Sequence, residues 1–419
     1  MSRFQADGAD AQGSMVPAES APCSVTWVHD PAAIDAAQWD ALLPAGGSSP
    51  FLRHAFFQAL HETRGAHPDT GWHPQFLLLH DAQGVLRAAC PAYAKDHSYG
   101  EYVFDWAWAD AHDRALARHG QHYYPKLLSA VPFSPIPGAR LLVDPRLPDA
   151  MRQVWQGRLL DALVERCAEQ GWSSAHALFL PSDEAALAVE RGWLKREGVQ
   201  FHWLNRAERP YTDFADFLAS LQRDKRKKIQ QERRKVAEAG VQFEVRAGEA
   251  ITAADWHFFH RCYARTYLEH GQRPYLTEAC WHQLGSTLPD CWTMFIASLG
   301  GERIAASLLA VDPVGRVAHG RYWGALASVS CLHFEACYYQ PIAWCIEQGI
   351  LRFEGGAQGE HKLARGLLPV STQSVHWLRH PGLREAVADF LSREERGIGY
   401  YLNELDERQP FKQGDLPSR

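Results

Sequence analysis

A group of polar side chains follows an apolar run near the C-terminal end of the sequence. Residues 352–369 read RFEGGAQGEHKLARGLLP, so glycines lead into carboxylate, imidazole, amine and guanidinium groups. A strand can fix the base of such a loop, while glycines let the backbone approach a ligand. We therefore predict an active-site loop here; the alternative is a strand-to-helix connection whose charges are solvated. The candidate groups are Gln358, Glu360, His361, Lys362 and Arg365.

A second feature is a segment of dense positive charge. The pattern predicts one helix over about 213–239, whose second half, RDKRKKIQQERRK, contains eight basic and two acidic residues. Such a face attracts phosphate groups, for example those of a nucleotide-linked precursor, a coenzyme A thioester or a transfer RNA. A solvated helix face is the alternative. The predicted phosphate- or RNA-binding residues are Arg223, Lys225, Arg226, Lys227, Arg233 and Arg234.

Three other stretches mix aromatic rings with polar groups, at residues 95–106, 123–133 and 321–339. Ligand pockets combine apolar walls with a few fixed polar groups, so each stretch is a candidate pocket lining. Each is also consistent with core aromatics whose hydroxyl and indole groups have found partners. The substrate-binding candidates in these stretches are His97, Glu101, Tyr124, Lys126, Arg321 and Trp323.

Composition limits the class of protein. With 46% hydrophobic and 22% charged residues, the chain is typical of a globular protein, and its net charge of −6 argues against non-specific nucleic-acid binding by the whole surface. No apolar stretch approaches the roughly 20 residues that span a bilayer, and no secretory signal is visible at the start. We therefore expect a cytoplasmic protein without a membrane span.

Cysteine and histidine usage argues against disulfides and metal sites. The nine cysteines are scattered without a Cys-x-x-Cys pair, so we expect reduced thiols. The 21 histidines form no His-Glu-x-x-His pattern, so we predict no metal site.

The predicted strands and helices are in mixed α/β order, and the order occurs twice. A hairpin whose turn contains Gly84 resembles one whose turn contains Gly301, which suggests two copies of one unit. The polar run RAERPY at 206–211 marks the boundary between them. The expected parts are a disordered tail at 1–22, a first domain at 23–207, a second domain at 208–405 that opens with the basic helix, and a C-terminal tail at 406–419.

In the second copy we predict a strand at 317–323, then a helix, then a strand at 351–354. The helix shows apolar residues at spacings of four and three, which favours one buried face against a sheet. The residues on that face are Leu332, Ala336, Tyr339, Ala343 and Ile346.

Five motifs occur in order: HSYGEYVFDWAWA (97–109), YYPKLLSAVPFSPIPGARLL (123–142), GRYWG (320–324), LHFEACYYQ (332–340) and FEGGAQGEHKLARGLLP (353–369). Together they resemble the bacterial FemAB-like predicted N-acyltransferases, often labelled as peptidoglycan biosynthesis or recognition proteins. The resemblance covers about residues 48–395. It implies mixed α/β sheets in two tandem GNAT-like domains, as in the Fem peptidyltransferases that add amino acids from aminoacyl-tRNA to cell-wall precursors.

The resemblance also implies a reaction. An acyl or aminoacyl group would pass from acyl-CoA or aminoacyl-tRNA, used as co-substrate with no bound cofactor, to an amine of a small or peptide-like acceptor such as a cell-wall precursor. Transfer RNA is thus a candidate partner. The alternatives are a ligase that makes a small peptide-like product and a non-catalytic protein that binds a muropeptide or a nucleotide sugar.

One departure concerns coenzyme A. GNAT enzymes hold its pyrophosphate on a loop written Arg/Gln-x-x-Gly-x-Gly/Ala. The corresponding residues 321–326 fail at the last position, and residues 352–357 fit the pattern but follow the wrong strand. Either coenzyme A binds differently or the donor is another molecule.

The implied chemistry needs a base, a proton donor and groups that stabilise an oxyanion. We expect Glu360 or His361 to be the base, with Glu335 as the third candidate, and Tyr322 or Tyr339 to return a proton to the leaving group. For Glu335 the alternative is a first-turn carboxylate stabilised by the helix dipole.

Overall fold

The fold was obtained as a computed structural model, which describes residues 23–47, 49–357 and 359–416. The predicted tail at 1–22 and the candidate Gln358 lie outside the described residues. The strands form a four-stranded sheet and a mixed eleven-stranded sheet, with helices packed on both. The predicted fold class is confirmed.

The first half of the chain contains nine strands and five α-helices among the described residues. The strands are β1 (Cys23–Val28), β2 (Trp72–Pro74), β3 (Phe76–Asp81), β4 (Leu86–Cys90), β5 (Tyr93–Lys95), β6 (Lys126–Ser129), β7 (Leu142–Val143), β8 (Ser174–Leu180) and β9 (Leu194–Leu204). The helices are α1 (Ala36–Asp40), α2 (His54–Glu62), α3 (Trp106–Leu116), α4 (Asp149–Gln170) and α5 (Ser182–Glu190).

The second half continues with six strands and seven α-helical segments in the part of the chain that is described. The strands are β10 (Val241–Ala247), β11 (Trp292–Leu299), β12 (Glu302–Asp312), β13 (Val317–Ala325), β14 (Arg352–Ala357) and β15 (Leu368–Leu378). The helices are α6 (Phe214–Ser220), α7 (Arg223–Glu238), α8 (Ala253–Glu269), α9 (Glu278–Thr287), α10 (Leu332–Phe334), α11 (Gln340–Glu347) and α12 (Pro381–Glu407).

The strand pairings repeat between the halves. An antiparallel hairpin pairs with an earlier antiparallel strand in both halves, as β1-β3-β4 and as β10-β11-β12. A parallel pair follows in both halves, β6 with β8 and β13 with β14. This internal repetition agrees with the expected tandem GNAT-like architecture.

One strand joins the halves. The large sheet has the order β10-β11-β12-β13-β14-β9-β15-β8-β6-β5-β2, so β9 of the first half lies between β14 and β15 of the second half. It is antiparallel to both, with Trp203 opposite Phe353 and His202 opposite Leu368. The predicted boundary at 206–211 therefore follows the last strand of the first half, which is central to the shared sheet.

Apolar periodicity explains how the helices pack. In α4 the buried side chains include Trp155, Leu159, Leu163 and Cys167, at spacings of four that place them on one face. This face packs on the first-half strands in one hydrophobic cluster. Burying each leucine contributes about 1.5 to 3 kcal/mol, so packing of this face accounts for much of the helix stability.

The single helix predicted over 213–239 is wrong: the structure has α6 and α7 with a break at Leu221 and Gln222. At the break the backbone N–H of Gln222 donates to the carbonyl of Pro410 at 2.8 Å, and Leu221 forms a β-bridge with Phe411. The distant C-terminal segment thus takes the backbone groups that a continuous helix would have used.

The helix expected around residue 339 also differs. Residues Glu335–Tyr339 form a π-helical turn between α10 and α11. A π turn accommodates one extra residue, which rotates the following face. Ile342 and Cys345 are therefore buried, whereas Ala343, predicted for the buried face, is half-buried.

Candidate active site

One cavity lies where two parallel strands separate. The β13–β14 ladder runs from Val317 opposite Arg352 to His319 opposite Glu354, where it ends. A cavity of about 370 Å³ lies beyond this point. Strand β13 has a bulge next to this cavity, because Leu308 and Leu309 of β12 pair with residues 322 and 320 and leave residue 321 without a pairing partner.

Both halves of the chain line this cavity. The second half contributes β12, β13, β14 and the π turn, whereas the first half contributes two loops near residues 102–104 and 133–135. Most of the lining is aromatic or apolar, and few charged groups enter it. The lining includes Tyr102, Phe104, Phe133, Pro135, Leu308, Arg321, Tyr322, Trp323, Tyr338, Phe353, Gly356 and Lys362.

A buried ion pair forms one wall. The Arg321 guanidinium donates to a Glu354 carboxylate oxygen at 3.2 Å and to the Glu354 carbonyl at 3.1 Å. His319 lies 2.8 Å from the same carboxylate. Although burial acts to raise it, the pKa of Glu354 is held below its usual range by His319 and Arg321. This carboxylate is therefore ionised, and its hydrogen bond with the guanidinium orients Arg321.

A tyrosine connects the cavity to a histidine outside it. Tyr338 lines the cavity, and its hydroxyl lies 3.2 Å from Nε2 of His361. Burial, followed by the charges of Arg365 and Lys362, lowers the pKa of His361. A neutral imidazole accepts a hydrogen bond, so the pair can carry a proton from the cavity to the surface.

One ammonium group belongs to the cavity itself. Lys362 is 6% exposed, and its Nζ lies 3.4 Å from the carbonyl of Gly356. Burial, assisted by the charge of Arg321, lowers the pKa of Lys362 to about 8. At neutral pH it thus supplies a positive charge to the lining, suited to an anion or a developing oxyanion.

Three residues predicted to bind substrate or to act in catalysis instead connect α7 to the active-site loop and to the π turn. The Arg365 guanidinium donates to Glu232 at 2.8 Å, and the Tyr339 hydroxyl donates to the same carboxylate. Glu335 accepts from Arg233 at 3.1 Å. These contacts place α7 directly behind the 3₁₀ helix Glu360–Arg365 and the π turn. We infer that they position the loop rather than contact a substrate.

Other predicted residues lie outside the cavity. Glu360 is exposed and pairs with Arg408 at 3.3 Å. In the first half, Lys126 donates to Glu101 at 2.7 Å in a buried cluster. Tyr124 contacts the edge of that cluster through Ser98. His97 lies 3.0 Å from the carbonyl of Thr70. Glu101, Lys126 and Tyr124 thus belong to one cluster away from the cavity, whereas His97 contacts Thr70 instead.

Of the predicted residues, the structure brings together Arg321, Tyr322, Trp323 and Lys362 at the cavity. The hydroxyl of Tyr322 lies 2.9 Å from Oγ of Ser134, a contact between the two halves.

Helix α7 keeps most of its charge at the surface. Its buried residues are Ile229, Glu232 and Val236, on one face. Arg233 lies over the ring of Phe214 at 4.5 Å and pairs with Glu335, so it is partly committed to the fold. The fully exposed basic residues are Arg223, Lys227, Lys228, Arg234 and Lys235.

Residues 30–413 match the family described as FemAB-like, peptidoglycan biosynthesis/recognition. The chain belongs to the FemAB-like family. No curated protein matches this sequence significantly.

Solved structures similar to this FemAB-like chain are remote in sequence. The C-terminal domain of a putative lysylphosphatidylglycerol synthetase from Agrobacterium fabrum is 11% identical, with 85% of this chain and 95% of that chain covered and a TM-score of 0.48. L-PGS from Bacillus licheniformis is 10% identical, with 82% and 98% covered and a TM-score of 0.46. A tandem GNAT protein from the clavulanic acid biosynthesis pathway is 10% identical, with 86% and 99% covered and a TM-score of 0.42. Such similarity does not establish a shared activity.

Within the described part of the FemAB-like chain, no group of His, Cys, Asp or Glu side chains is arranged to hold a metal ion. Over those same residues, no helix has the length and apolar character to cross a membrane. The glycine pattern at 352–357 lies on strand β14, and the loop at 326–331 that follows β13 contains no glycine.

Sequence reasoning on this FemAB-like chain did not select Tyr338, Tyr102 and Phe104, although all three lie in the quoted motifs. Helical periodicity pointed to Tyr339, and the π turn is what allows its neighbour Tyr338 to face the cavity. For Tyr102 and Phe104 a signal was present, because rings alternate there with polar residues. Only the polar residues were chosen.

Proposed function

We propose that this protein is an N-acyltransferase that moves an acyl or aminoacyl group from an activated donor to an amine. The acceptor would be a small or peptide-like molecule, and family membership supports a cell-wall precursor. The observation that carries the proposal is the aromatic cavity at the end of the β13–β14 ladder, where Tyr338, Lys362 and Arg321 meet. A site lined by many aromatic side chains and few charged ones suits acyl transfer, because a bound acyl group would displace water from it.

The proposed step uses these groups in order. The amine nitrogen attacks the carbonyl carbon of the ester or thioester, so a new C–N bond forms and the carbonyl oxygen becomes negative. Lys362 faces that oxyanion. The amine proton passes through the Tyr338 hydroxyl to His361, which lies outside the cavity at an exposed position and can release it. The C–O or C–S bond then breaks, and the leaving alkoxide or thiolate takes a proton from water.

The donor is proposed to bring its phosphates to α7. Lys227, Lys228 and Arg234 are exposed, and the helix is connected to the active-site loop through Glu232 and Arg365. Phosphates on this face would leave the acyl end free to reach the cavity. Both aminoacyl-tRNA and acyl-CoA satisfy this requirement, and the absence of glycine at 326–331 favours a donor other than acetyl-CoA held in the usual way. Both donors are cytoplasmic, the compartment we propose.

Direct transfer assays test the function. Purified protein would be incubated with labelled acyl-CoA or charged tRNA and with amine acceptors that include muropeptides, and mass spectrometry would detect the new amide. We expect amide formation with one donor class. Binding of a muropeptide or nucleotide sugar without turnover of any donor would instead support a binding protein.

Variants test the assignment of roles. Tyr338→Phe keeps the ring but removes the relay hydroxyl, so we expect kcat to fall by at least about tenfold, since positioned proton transfer contributes roughly 100- to 10,000-fold. His361→Ala should show a similar loss. Glu360→Gln is the matched control, because Glu360 is exposed and pairs with Arg408. Full activity of Tyr338→Phe and His361→Ala would remove both residues from the mechanism.

A further inference from the structure

The segment Ser98–Trp106 turns polar side chains inward and rings outward. Ser98, Glu101 and Asp105 are buried. The rings between them are large and solvent-exposed, which is costly unless something covers them. The exposed rings are Tyr99 at 56%, Tyr102 at 37%, Phe104 at 39% and Trp106 at 46%.

Three of these rings form one surface, which we call the aromatic platform: Tyr99, Phe104 and Trp106. The rings of Phe104 and Trp106 are stacked, with centroids 4.5 Å apart and planes inclined by 18°. Tyr99 lies 6.0 Å from Trp106. Phe104 also lines the cavity, so the aromatic platform is continuous with the candidate active site.

Buried charges hold the platform in place. Lys126 donates to Ser98 at 2.7 Å and to Asp105 at 2.6 Å, both in the segment that carries the rings. From the other side, Arg196 donates to the carbonyl of Phe104 at 2.8 Å. A surface anchored from below in this way is organised before a ligand arrives, which reduces the entropy cost of binding.

We propose that the aromatic platform stacks the nucleobase of a nucleotide-bearing substrate. This inference rests on the proposed function, since it assigns a subsite to one of its substrates. Every base has a π face, and stacked aromatic side chains bind bases without reading their sequence. The flat surface of Phe104 on Trp106 offers such a face next to the cavity.

Two observations favour a base over other ligands. A saccharide needs hydrogen-bonding partners, but the carboxylates of Glu101 and Asp105 beneath the platform are buried and bonded to Lys126. An acyl chain needs a closed groove, whereas the platform is open, so a ligand there keeps one side in water. A planar base can stack on an open ring surface and keep its polar edges in water, so it needs neither hydrogen-bonding partners beneath it nor a closed groove.

Binding measurements on the full-length protein test the proposal. Calorimetric titrations would use AMP, UMP, adenosine 3′,5′-bisphosphate, ribose 5-phosphate and N-acetylglucosamine. AMP carries the base and phosphate of a terminal adenosine, the bisphosphate represents the nucleotide of coenzyme A, and UMP represents a nucleotide sugar. The nucleotide that binds most tightly among these three identifies the class of substrate that supplies the base. Ribose 5-phosphate lacks the base and should bind at least tenfold more weakly.

Substitutions test whether the nucleotide binds at the aromatic platform. Trp106→Ala should weaken binding of the best nucleotide by about fivefold or more, the loss expected for one base–aromatic stack. Trp106→Phe should retain most of it. Tyr400→Ala is the matched control, since Tyr400 is also an exposed ring, 77% exposed on α12, and should change nothing. Circular dichroism would show that each variant is folded.

The outcomes separate this inference from the proposed function. His361→Ala should lower the transfer rate by at least about tenfold yet keep nucleotide binding, because His361 is outside the aromatic platform. Equal binding of AMP, UMP and ribose 5-phosphate, or unchanged nucleotide binding by Trp106→Ala, would overturn the platform assignment while leaving the transferase proposal in place. Binding of N-acetylglucosamine alone, lost in Trp106→Ala, would overturn the nucleobase in favour of a sugar.

Discussion

At the residue scale, the proposed mechanism places opposite requirements on a proton relay and on an ammonium group. His361 must be neutral to accept a proton through Tyr338, and its pKa is lowered by burial and by nearby cations. Lys362 must be charged to stabilise an oxyanion, and its pKa is lowered to about 8. The same site therefore works only in a window of pH between the two values.

A bell-shaped pH profile of kcat/KM is the expected result. Activity should rise as pH increases through the pKa of His361, below its ordinary value near 6.5, and fall as pH passes about 8 and Lys362 loses its proton. Lys362→Arg should move the alkaline limb to higher pH. His97→Ala is the control, because the pKa of His97 is also lowered but it lies outside the cavity. A flat profile from pH 5 to 9 would contradict the assignment of both groups.

The buried charged cluster in the first half leads to a prediction about the stability of the fold. Lys126 is 1% exposed and pairs with Glu101 and Asp105. Burial raises the pKa of Glu101 to about 7, whereas Lys126 and His176 hold that of Asp105 below its usual range even though burial opposes this. Lys126→Met would leave an uncompensated carboxylate in the core.

The expected cost of Lys126→Met is about 3 to 5 kcal/mol in the free energy of unfolding, the usual consequence of breaking a buried pair. Urea denaturation at pH 7.5 would measure it. Arg146→Met is the matched control, because Arg146 pairs with Asp144 at an exposed position and Arg87 still pairs with that carboxylate. Equal stability of the two variants would show that the ion pairs of Lys126 do not stabilise the fold.

The sequence predicted only some of the residues that line the cavity. Arg321, Trp323 and Lys362 were selected because polar groups follow strand patterns, and the cavity contains them. Glu101 and Lys126 were equally good candidates by type, but only the fold reveals that they pair with each other below the surface. Spacing in the sequence does not tell which charges are neutralised by a partner 25 residues away.

At the element scale, α7 combines two tasks. Glu232 on its buried face holds Arg365 of the active-site loop, while Lys227, Lys228 and Arg234 face solvent. The sequence predicted the charge of this helix correctly. It could not predict the break before Arg223, because the group that interrupts the helix is Pro410, nearly 190 residues later.

The salt dependence of tRNA binding tests the exposed face of α7. Lys227→Glu combined with Arg234→Glu should weaken binding and reduce the slope of log K against log salt, because fewer counterions are released. Filter binding between 50 and 200 mM salt would measure it. Arg152→Glu on α4 is the control for charge reversal elsewhere. Unchanged affinity and slope in the α7 variant would exclude this helix as the phosphate site.

Local geometry on β13 shows a second limit of sequence reasoning. Gly324 was discussed as part of a phosphate-loop pattern, but a Cβ there would lie 1.9 Å from the carbonyl oxygen of Cys262 on α8. The glycine is needed for close packing of a helix on a strand. Its role depends on a contact between two elements, which no pattern within the motif contains.

At the scale of the whole molecule, the two halves are joined in one eleven-stranded sheet. The repeated hairpin was predictable from the similar turns that contain Gly84 and Gly301. The position of β9 between β14 and β15 was not predictable, because a strand of one half that pairs with strands of the other half leaves no periodic signal in the sequence. We retain 23–207 and 208–405 as proposed units by repeat, but the shared sheet and the packing of Phe51 against Trp292 at 6.2 Å connect them.

Shared strands predict that the two halves unfold together. Leu159→Ala removes a fully buried side chain from the first-half core, and Ile342→Ala does the same in the second half. Each substitution should cost about 2 to 5 kcal/mol. Because breaking either half removes partners of β9, differential scanning calorimetry should show a single transition that moves to lower temperature in both variants. If the halves were independent, two transitions would be seen and each variant would move only one of them. The cavity between the halves would then lack a fixed wall, since Tyr102 and Phe133 come from one half and Tyr338 from the other.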